Sequence, residues 1–516
     1  MRRYLYIAVF SSGLVTMAAE MAASRLLGNV FGSSNLVWAS IIGLILIYLT
    51  AGYFLGGRLA DDRPQAKTLF SVMLWGGFTV GVVPLVSRPI LKVAATAFDN
   101  LQMGDLVGSF VVVMVLFIIP VTLLGMVSPI AIRLAITTPE EAGKVSGRIY
   151  AISTMGSFIG TFLPVLLLIP LLGTTITFIS ISVFLMLVAL IGLGISQGWG
   201  KALVWLWMPV LLALFALLWA RGTFKATPGQ VVERESAYNY IEVIEQDGYT
   251  MLRLNDGQGV HSMYHPEVLD YAGPWQQFLA GPFFYPDTGL EDVERIAIIG
   301  LAAGTTARQA TQVFGPLPID GYEIDPEIIA VGEEYFGMDL PNLNAYAQDG
   351  RWGLFTSEEE YTLVAIDAYR PPYIPWHLTT QQFFQLVGEH LTDQGVVVIN
   401  VGRSPNSRAL IDAMVTTLQT VFPSVHVMDI PYTLNTMVYA TVQPTTIDDL
   451  LSNYVVLRGD PAVHPLLLHA IEQTILFQQP LPEPTIVFTD DKAPVDWVIN
   501  RMVLEFMLTG ELEVLR

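Results

Sequence analysis

Acidic side chains follow three consecutive strands that the second half of the sequence predicts. Glu323 and Asp325 close the first of these strands, Asp349 follows the next, and Asp367 ends the third. Because ligands of open α/β sheets bind at the carboxyl ends of the strands, we expect these carboxylates to converge on one crevice. One Asp after a strand is also ordinary N-cap or turn chemistry, so it is the repetition that favours a shared ligand site.

A glycine turn precedes these carboxylates. The apolar run 296–299 leads into Gly300 to Gly304 and then a predicted helix, which is the pattern of the first βαβ unit in a nucleotide-binding sheet. Glu323 follows Gly300 by 23 residues, close to the spacing of about 20 for a carboxylate that binds ribose hydroxyls. The pattern is GxxxGT and not GxGxxG, which favours an adenosine ligand without a pyrophosphate. A βα turn without a ligand is the alternative.

The elements that would position this crevice alternate between strands and helices. Short alternating strands joined by a turn at 246–248 predict a small β domain over about 230–262. A helix is predicted for His261 to Phe284, carrying His261, Tyr264, Tyr271 and Trp275 towards the main domain. A doubly wound, methyltransferase-like sheet is expected from strands near 295–299, 318–323, 343–347, 361–367, 395–400 and 424–428, with 436–442 as a late hairpin partner.

Charge divides the chain into two parts. Residues 1–225 have a net charge of +7 and the remainder −27, in a chain of 516 residues that is 53% hydrophobic. A membrane half therefore precedes an acidic half, which is a poor nucleic-acid binder and suits cationic small molecules such as amines. The predicted domains are 1–225, 226–292, 293–445 and a helical extension over 446–516. The absence of Cys excludes disulfides and thiolate chemistry.

Seven segments are apolar and long enough to cross a bilayer. They are roughly 4–24, 35–57, 69–87, 106–136, 150–172, 174–196 and 202–220. The first is interpreted as a retained span and not a removable signal peptide. We expect Pro120 and Pro129 to break or kink the fourth span, and 88–104 to form an interfacial helix.

Glu20 is a charge at membrane depth, which makes it a candidate for transport or binding. Arg25 is close by, and snorkelling is the alternative explanation for its position. Small residues in Gly52 to Arg63, which resembles a loop of major-facilitator transporters, and in Gly156 to Pro170 predict close helix packing. An anchor is the expectation favoured over a transporter.

The positive-inside rule and the chemistry disagree about orientation. Nine basic residues lie on one side of the predicted spans and five on the other, which favours a cytoplasmic N-terminus. Seven spans would then place the acidic half outside. Adenosine-derived ligands are made in the cytosol, so we expect a multi-pass protein of the cell membrane with its C-terminal half in the cytoplasm.

Over roughly residues 230–445 the chain resembles the spermidine synthases, or polyamine aminopropyltransferases, and as a whole it is similar to their membrane-fused relatives. The resemblance is carried by LNDGQGVHS, IIGLAAGTTAR, YEIDPEII, the pair Asp349-Gly350 and the strand-end Asp367; the C-terminal TDDKAPVDW is similar to the fused subgroup. It implies aminopropyl transfer from decarboxylated S-adenosylmethionine to an amine such as putrescine, with release of methylthioadenosine. The donor is a co-substrate, and neither a permanently bound cofactor nor a metal is expected.

The resemblance also implies residue roles. Glu323 would hold the ribose hydroxyls, Asp349 the adenine amino group, and Asp367 would orient and deprotonate the amine. The remaining nucleoside-binding candidates are Gly300, Ala303, Gly304, Asp325 and Gly350, and the candidates for amine binding are His261, Tyr264, Tyr369 and Arg370. A carboxylate is the right group for this step, because a protonated amine is not a nucleophile.

Three positions depart from the family pattern. Ala303 stands where an Asp is usual in the glycine turn, Arg370 where the catalytic loop usually has a second carboxylate, and His261 about where a Gln is usual. Each weakens recognition of a diamine, so a methyltransferase using S-adenosylmethionine and a nucleoside- or polyamine-responsive transporter or sensor stay open. The expected partners are the amine, the donor and the bilayer, with a homodimer left open.

Two segments near the crevice have two interpretations each. The loop Tyr369 to Thr380 is either a lid over the nucleoside or a rigid connection, and His377 is expected to form hydrogen bonds there and not to act as a base. Asp490 and Asp491 either cap the helix that follows or close the active site.

Overall fold

The computed structural model describes residues 2–31, 35–101, 105–219, 227–255, 259–368, 374–404, 407–499 and 501–502. The chain divides into two compact units, Met1–Ala226 and Thr227–Arg516. The division lies within one residue of the predicted end of the membrane half.

The first unit is helical. Its helices are α1 (Arg2–Phe31), α2 (Asn35–Asp62), α3 (Ala66–Leu101), α4 (Asp105–Ala135), α5 (Ala142–Leu163), α6 (Ile169–Gln197), α7 (Trp199–Leu203) and α8 (Trp207–Trp219), with a π-helical turn at Pro164–Leu168. The predicted interfacial helix over 88–104 is wrong as a separate element, because α3 continues without a break to Leu101. Pro120 and Pro129 both lie inside α4, which is one continuous helix and is not broken at either proline.

Within the described residues, six helical stretches are long and apolar enough to cross a membrane, in agreement with a multi-pass membrane protein. One of them, Pro139–Gln197, has 59 residues. A helix of that length would rise about 90 Å, roughly three times the hydrocarbon thickness of a bilayer. Gly173, with φ 76° and ψ 167°, interrupts the helical backbone. This stretch therefore accounts for the fifth and sixth of the seven predicted spans.

Glycines bring the helices of this unit into close contact. A Cβ on Gly156 of α5 would lie 2.1 Å from the carbonyl oxygen of Phe10 in α1, and one on Gly52 of α2 would lie 2.4 Å from that of Thr122 in α4. Both glycines belong to the small-residue segments that predicted close packing. Glu20 of α1 is buried in this unit, and a transport role for it stays a prediction.

The second unit contains two sheets. The small one is antiparallel, in the order β1 (Gln230–Glu235), β2 (Tyr240–Gln246), β3 (Tyr249–Leu254) and β4 (Val260–Tyr264). The large one has eight strands, which are β5 (Ile296–Ile299), β6 (Ile319–Glu323), β7 (Leu343–Ala347), β8 (Tyr361–Ile366), β9 (Leu391–Gly402), β10 (Ser424–Asp429), β11 (Asn435–Thr441) and β12 (Gln478–Gln479). The helices are α9 (Thr305–Phe314), α10 (Pro326–Tyr335), α11 (Gly350–Thr356), α12 (Gln381–Glu389), α13 (Ala409–Leu418), α14 (Ile447–Leu457) and α15 (Pro465–Leu476).

The order of the large sheet is β12-β10-β11-β9-β8-β5-β6-β7. Strands β5 to β9 pair in parallel, and β11 pairs antiparallel with both β9 and β10. Every residue of β5 and β8 is buried, as expected for central parallel strands covered on both faces. The predicted methyltransferase-like α/β fold and its late hairpin partner are confirmed.

The segment from His261 to Phe284 does not form the predicted helix. His261 and Tyr264 lie on β4, and a 3₁₀ helix begins only at Trp275 and ends at Phe284. All ten residues of that 3₁₀ helix are buried against the large sheet and its helices. Residues 275–284 therefore belong to the core of the large sheet.

Candidate functional site

The glycine turn lies against the end of β8. Gly300 has φ 85°, and a Cβ on it would lie 2.6 Å from Cα of Ala368. Only glycine allows both this left-handed backbone and this close approach. The backbone N–H of Asp367 donates to the carbonyl of Ile299 at 2.8 Å. These contacts bring the turn and Asp367 together at the carboxyl edge of the sheet.

Glu323 ends β6 beside the same turn and is 8% exposed. Its Oε2 accepts the N–H of Ala302 at 3.0 Å, and its Oε1 accepts the N–H of Asp325 at 3.1 Å. Burial raises its pKa to about 7, although both backbone hydrogen bonds act in the opposite direction. The carboxyl group is therefore close to half-ionised at neutral pH, and a ligand that donates hydrogen bonds to it would favour the ionised form.

Asp367 is partly exposed at the end of β8. Its Oδ1 accepts a hydrogen bond from Nδ2 of Asn400, at the end of the neighbouring strand β9, at 2.9 Å. Desolvation raises the pKa of Asp367 to about 6, and the bond from Asn400 lowers it. A carboxyl group with this pKa is ionised at pH 7 and can still accept and return a proton.

Asp349 begins α11 as its N-cap. Its Oδ1 accepts the N–H of Trp352 at 3.0 Å, and Nε2 of His377 bonds to its Oδ2 at 2.9 Å. The bond to His377 is the main reason why the pKa of Asp349 is lowered. His377 therefore forms a hydrogen bond at this edge, as the sequence predicted. Gly350 follows Asp349, and a Cβ on it would lie 2.4 Å from Cγ2 of Ile299.

Asp325 is fully buried, and its carboxylate joins the small sheet to the large one. It accepts hydrogen bonds from Ser236 at 2.6 Å, from the side-chain amide of Asn239 at 2.9 Å, and from the N–H of Glu327 at 3.1 Å. The last bond caps α10, with Pro326 in the first turn. The structure gives Asp325 this joining and capping position, and a direct contact with a nucleoside stays a prediction.

Strand β4 of the small sheet lies on the glycine turn. The Oγ of Ser262 accepts the N–H of Ala303 at 3.0 Å, and Thr305 bonds to both backbone groups of Met263, at 2.9 and 3.0 Å. The methyl group of Ala303 belongs to an apolar cluster with residues of the small sheet and α10. Gly304, with φ 80°, begins α9 as its N-cap.

The candidates for amine binding are placed only in part. His261 is partly exposed on β4. Tyr264 packs against Arg308, whose guanidinium lies 4.3 Å from the centre of the Tyr264 ring. Tyr369 and Arg370 lie outside the described residues, as does the first part of the predicted lid. Amine binding by these four residues stays a prediction.

Asn400 and Ser262 were not predicted from the sequence. Asn400 is 5% exposed, and its Oδ1 is buried without a hydrogen-bond partner within the part of the chain that the structure describes. The sequence does contain a signal for Asn400, because a polar residue directly after the apolar run 396–399 repeats the pattern of Glu323 and Asp367, which also stand at the ends of predicted strands. Ser262 lies in LNDGQGVHS, but its contact with the glycine turn joins residues 41 positions apart.

Comparison with known proteins finds relatives that are named polyamine aminopropyltransferases. Over 213 residues the chain is 32% identical to a probable polyamine aminopropyl transferase of Bifidobacterium longum, covering 40% of this chain and 46% of that protein. Over 204 residues it is 28% identical to a polyamine aminopropyltransferase of Vibrio vulnificus, covering 37% of this chain and 66% of that protein. The chain is thus similar in sequence to polyamine aminopropyltransferases. It spans about half the length of the first relative and just under two thirds of the second.

Solved structures with a similar fold include a probable spermidine synthase of Corynebacterium glutamicum. It has a TM-score of 0.38 and 18% sequence identity, and the match covers 46% of this chain and 89% of that one. The spermidine synthase of Thermotoga maritima has a TM-score of 0.35 and 18% identity, with 43% of this chain and 74% of that one covered. No protein-family model matches the chain.

Proposed function

We propose that the second unit is an aminopropyltransferase, which moves an aminopropyl group from decarboxylated S-adenosylmethionine to an amine such as putrescine. The observation that carries this proposal is the position of Asp367 beside the glycine turn, with a pKa of about 6. The likeness to proteins named polyamine aminopropyltransferases supports it.

The chemistry requires a base and a place for the donor. Asp367 takes a proton from the ammonium group of the acceptor, which frees the nitrogen lone pair. The nitrogen then forms a bond to the carbon next to the sulfonium, and the electrons of the breaking C–S bond return to sulfur. The product nucleoside is the neutral thioether methylthioadenosine, and the proton passes from Asp367 to water.

The donor would lie across the edge of the sheet that is formed by the glycine turn and by the strand ends that carry Glu323 and Asp349. Glu323 would accept hydrogen bonds from the ribose hydroxyls, which favours its ionised form, and Asp349 would accept one from the adenine amino group. The two anionic groups also favour the cationic sulfonium in the crevice. The buried Oδ1 of Asn400 has no hydrogen-bond partner among the described residues, and it would accept from the ammonium group that Asp367 deprotonates.

The decisive experiment uses the full-length protein purified in detergent. Decarboxylated S-adenosylmethionine and S-adenosylmethionine are supplied separately with a panel of amines, and the nucleoside product is read by mass spectrometry. We expect methylthioadenosine only with the decarboxylated donor and an amine. S-adenosylhomocysteine would identify a methyltransferase, and neither product despite tight nucleoside binding would favour a sensor or transporter.

Variants at two aspartates test the base. Asp367→Asn keeps the size of the side chain and its contact with Asn400 but cannot accept the proton, so turnover should fall by at least about 100-fold. Asp393→Asn makes the same change at an exposed position before the core of β9 and is the control. Equal turnover in the two variants would remove Asp367 from the mechanism.

We further propose that the protein is held in the cell membrane with this unit in the cytoplasm, where the donor is made. The absence of Cys allows a direct test. Ser452→Cys introduces one thiol at an exposed position of α14. A membrane-impermeant maleimide should label this thiol only after the cells are opened. Labelling in intact cells would place the unit outside.

A further inference from the structure

A C-terminal segment, residues 485–492, is fixed to two helices of the large sheet. The N–H groups of Thr485 and Phe488 donate to threonine hydroxyls of α13, each at 3.0 Å. The N–H of Gln381, at the start of α12, donates to the carbonyl of Phe488 at 2.8 Å. Phe488 is fully buried in the core beneath. We call this segment the strap, and its contacts hold Asp490 in place.

Asp490 is the residue of the strap that reaches the candidate site. It receives two hydrogen bonds from Arg351 of α11, at 2.8 and 2.6 Å, and one from Thr380 at 2.7 Å. Asp490 therefore caps no helix of its own. It joins α11 to the start of α12, and the paired contact with the guanidinium fixes both groups in one plane.

Arg351 passes this constraint on to His377. Its Nη1 donates to the carbonyl of His377 at 3.0 Å, while the ring of His377 bonds to Asp349 at 2.9 Å. The backbone and the ring of His377 are thus held at two points. The Asp349 carboxylate is held between His377 and the N–H of Trp352.

We propose that Asp490 is a positioning residue for Asp349, which acts through Arg351 and His377 to aim one carboxylate at the adenine amino group of the nucleoside. This inference rests on the proposed function, which assigns that contact to Asp349. It adds that adenine selectivity depends on a residue from the strap, 139 positions after Arg351.

Electrostatics gives the reason for the dependence. Hydrogen bonds to Asp490 raise the pKa of Arg351, and the charge of Asp349 contributes to the same shift. Arg351 is therefore within electrostatic reach of both carboxylates, and Asp490 holds it by direct hydrogen bonds. Without the charge of Asp490, the guanidinium is free to turn towards Asp349 and to compete with the adenine amino group for its oxygens.

Asp490→Asn and Asp491→Asn form a matched pair for the test. Both remove one negative charge from an exposed position of the strap, but only Asp490 contacts Arg351. Binding of 5′-methylthioadenosine and 5′-methylthioinosine to the full-length protein is measured by calorimetry. The inosine compound has a carbonyl oxygen where adenine has its amino group and an N–H where adenine has the acceptor N1, so the ratio of the two dissociation constants reports on recognition of this edge of the base, which includes the proposed contact with Asp349.

We expect the wild-type protein and Asp491→Asn to prefer the adenine compound by at least about tenfold. In Asp490→Asn the preference should fall by about fivefold, because a partly exposed ion pair is lost. His377→Ala should show the same loss, and His377→Gln, which keeps an N–H donor, should restore most of the preference. Thermal unfolding of each variant checks that the fold is kept.

The experiment distinguishes failure of the proposed function from failure of the positioning role of Asp490. If the wild-type protein binds neither nucleoside, the proposed function is wrong. If it prefers adenine and Asp490→Asn prefers it equally, the function stands and the positioning role of Asp490 is refuted. If Asp490→Asn does not fold, the two His377 variants decide. The proposal expects His377→Ala to lose the preference for adenine and His377→Gln to keep most of it. Loss of this preference in both variants, or in neither, would contradict the proposal.

Discussion

The contact between Asn400 and Asp367 predicts a shift in the pH dependence of turnover. Asn400→Leu keeps a side chain of similar size in this buried position and removes the amide that donates to Asp367 at 2.9 Å. That bond stabilises the ionised carboxylate and lowers its pKa, while desolvation raises it. The substitution should therefore raise the pKa of Asp367.

The size of the shift follows from the energy of the bond. A hydrogen bond to a charged group contributes about 1.5 kcal/mol, which corresponds to about one pH unit. The pKa of Asp367 should thus rise from about 6 to roughly 7. At pH 6 the ionised fraction would fall from about a half to about a tenth, a fivefold loss of the active form. At pH 8 Asp367 would be almost fully ionised in both proteins, and the part of the loss that comes from its protonation would disappear.

The assay is the rate of methylthioadenosine formation at saturating donor and amine, between pH 5 and pH 9. Asn344→Leu is the control, because it removes an amide that donates to Asp320 at 2.9 Å in the same sheet, on a strand that lacks Asp367. We expect the acidic limb of the profile to move upwards only in Asn400→Leu. An acidic limb that stays in place, or moves downwards, would show that Asp367 is not the group that controls the rate.

Three further predictions concern other parts of the chain. Because the pKa of Glu323 is about 7 and ribose hydroxyls would donate to its ionised form, nucleoside affinity should rise with pH up to about 7. Calorimetry at pH 6.5 in buffers of different ionisation enthalpy should detect proton release in the wild-type protein and not in Glu323→Gln. Gly315→Ala introduces only an unfavourable backbone conformation, with φ 83° and ψ −171°, whereas Gly300→Ala adds a clash with the backbone of Ala368. The first should cost about 1–3 kcal/mol and the second at least about 2 kcal/mol more, as measured by thermal unfolding. In the helical unit, Gly156→Ala should lower the melting temperature in detergent, because its Cβ would lie 2.1 Å from a carbonyl oxygen of α1, while Gly147→Ala, with open space around it, should not.

The sequence predicted the strands of the large sheet well because their signal is local. The run 296–299 is apolar throughout, and parallel strands covered on both faces have this composition. Glu323, Asp349 and Asp367 could be placed at strand ends because the end of each strand is also visible in the local sequence. The structure brings these strand ends to one edge of the sheet. The break between the fifth and sixth spans was also local, since Gly173 ends one apolar run and begins the next.

Other features depend on contacts that a linear pattern does not contain. The predicted helix over 261–284 was wrong, because the first part of the segment is strand β4 and residues 275–284 are buried on every side, so they have no polar face that would mark a helical period. Pro266, Pro274 and Pro282 were available as evidence against a continuous helix. The bonds of Asp367 to Asn400 and of Arg351 to Asp490 join residues that only the tertiary fold brings together, and this is why the partners of Asn400 and Asp490 were not predicted.

The strap has a consequence for the order in which the chain is synthesised. The helical unit, the glycine turn and all three strand-end carboxylates leave the ribosome before Asp490 does, since Arg351 and Asp490 are 139 positions apart. A nascent chain can therefore reach the bilayer and pair its central strands while Arg351 still lacks its anchor. Chains interrupted in this interval would possess Asp367, the proposed base, while Asp349, the proposed adenine contact, is not yet fixed. On this proposal, discrimination between nucleosides would be the last property of the site to mature.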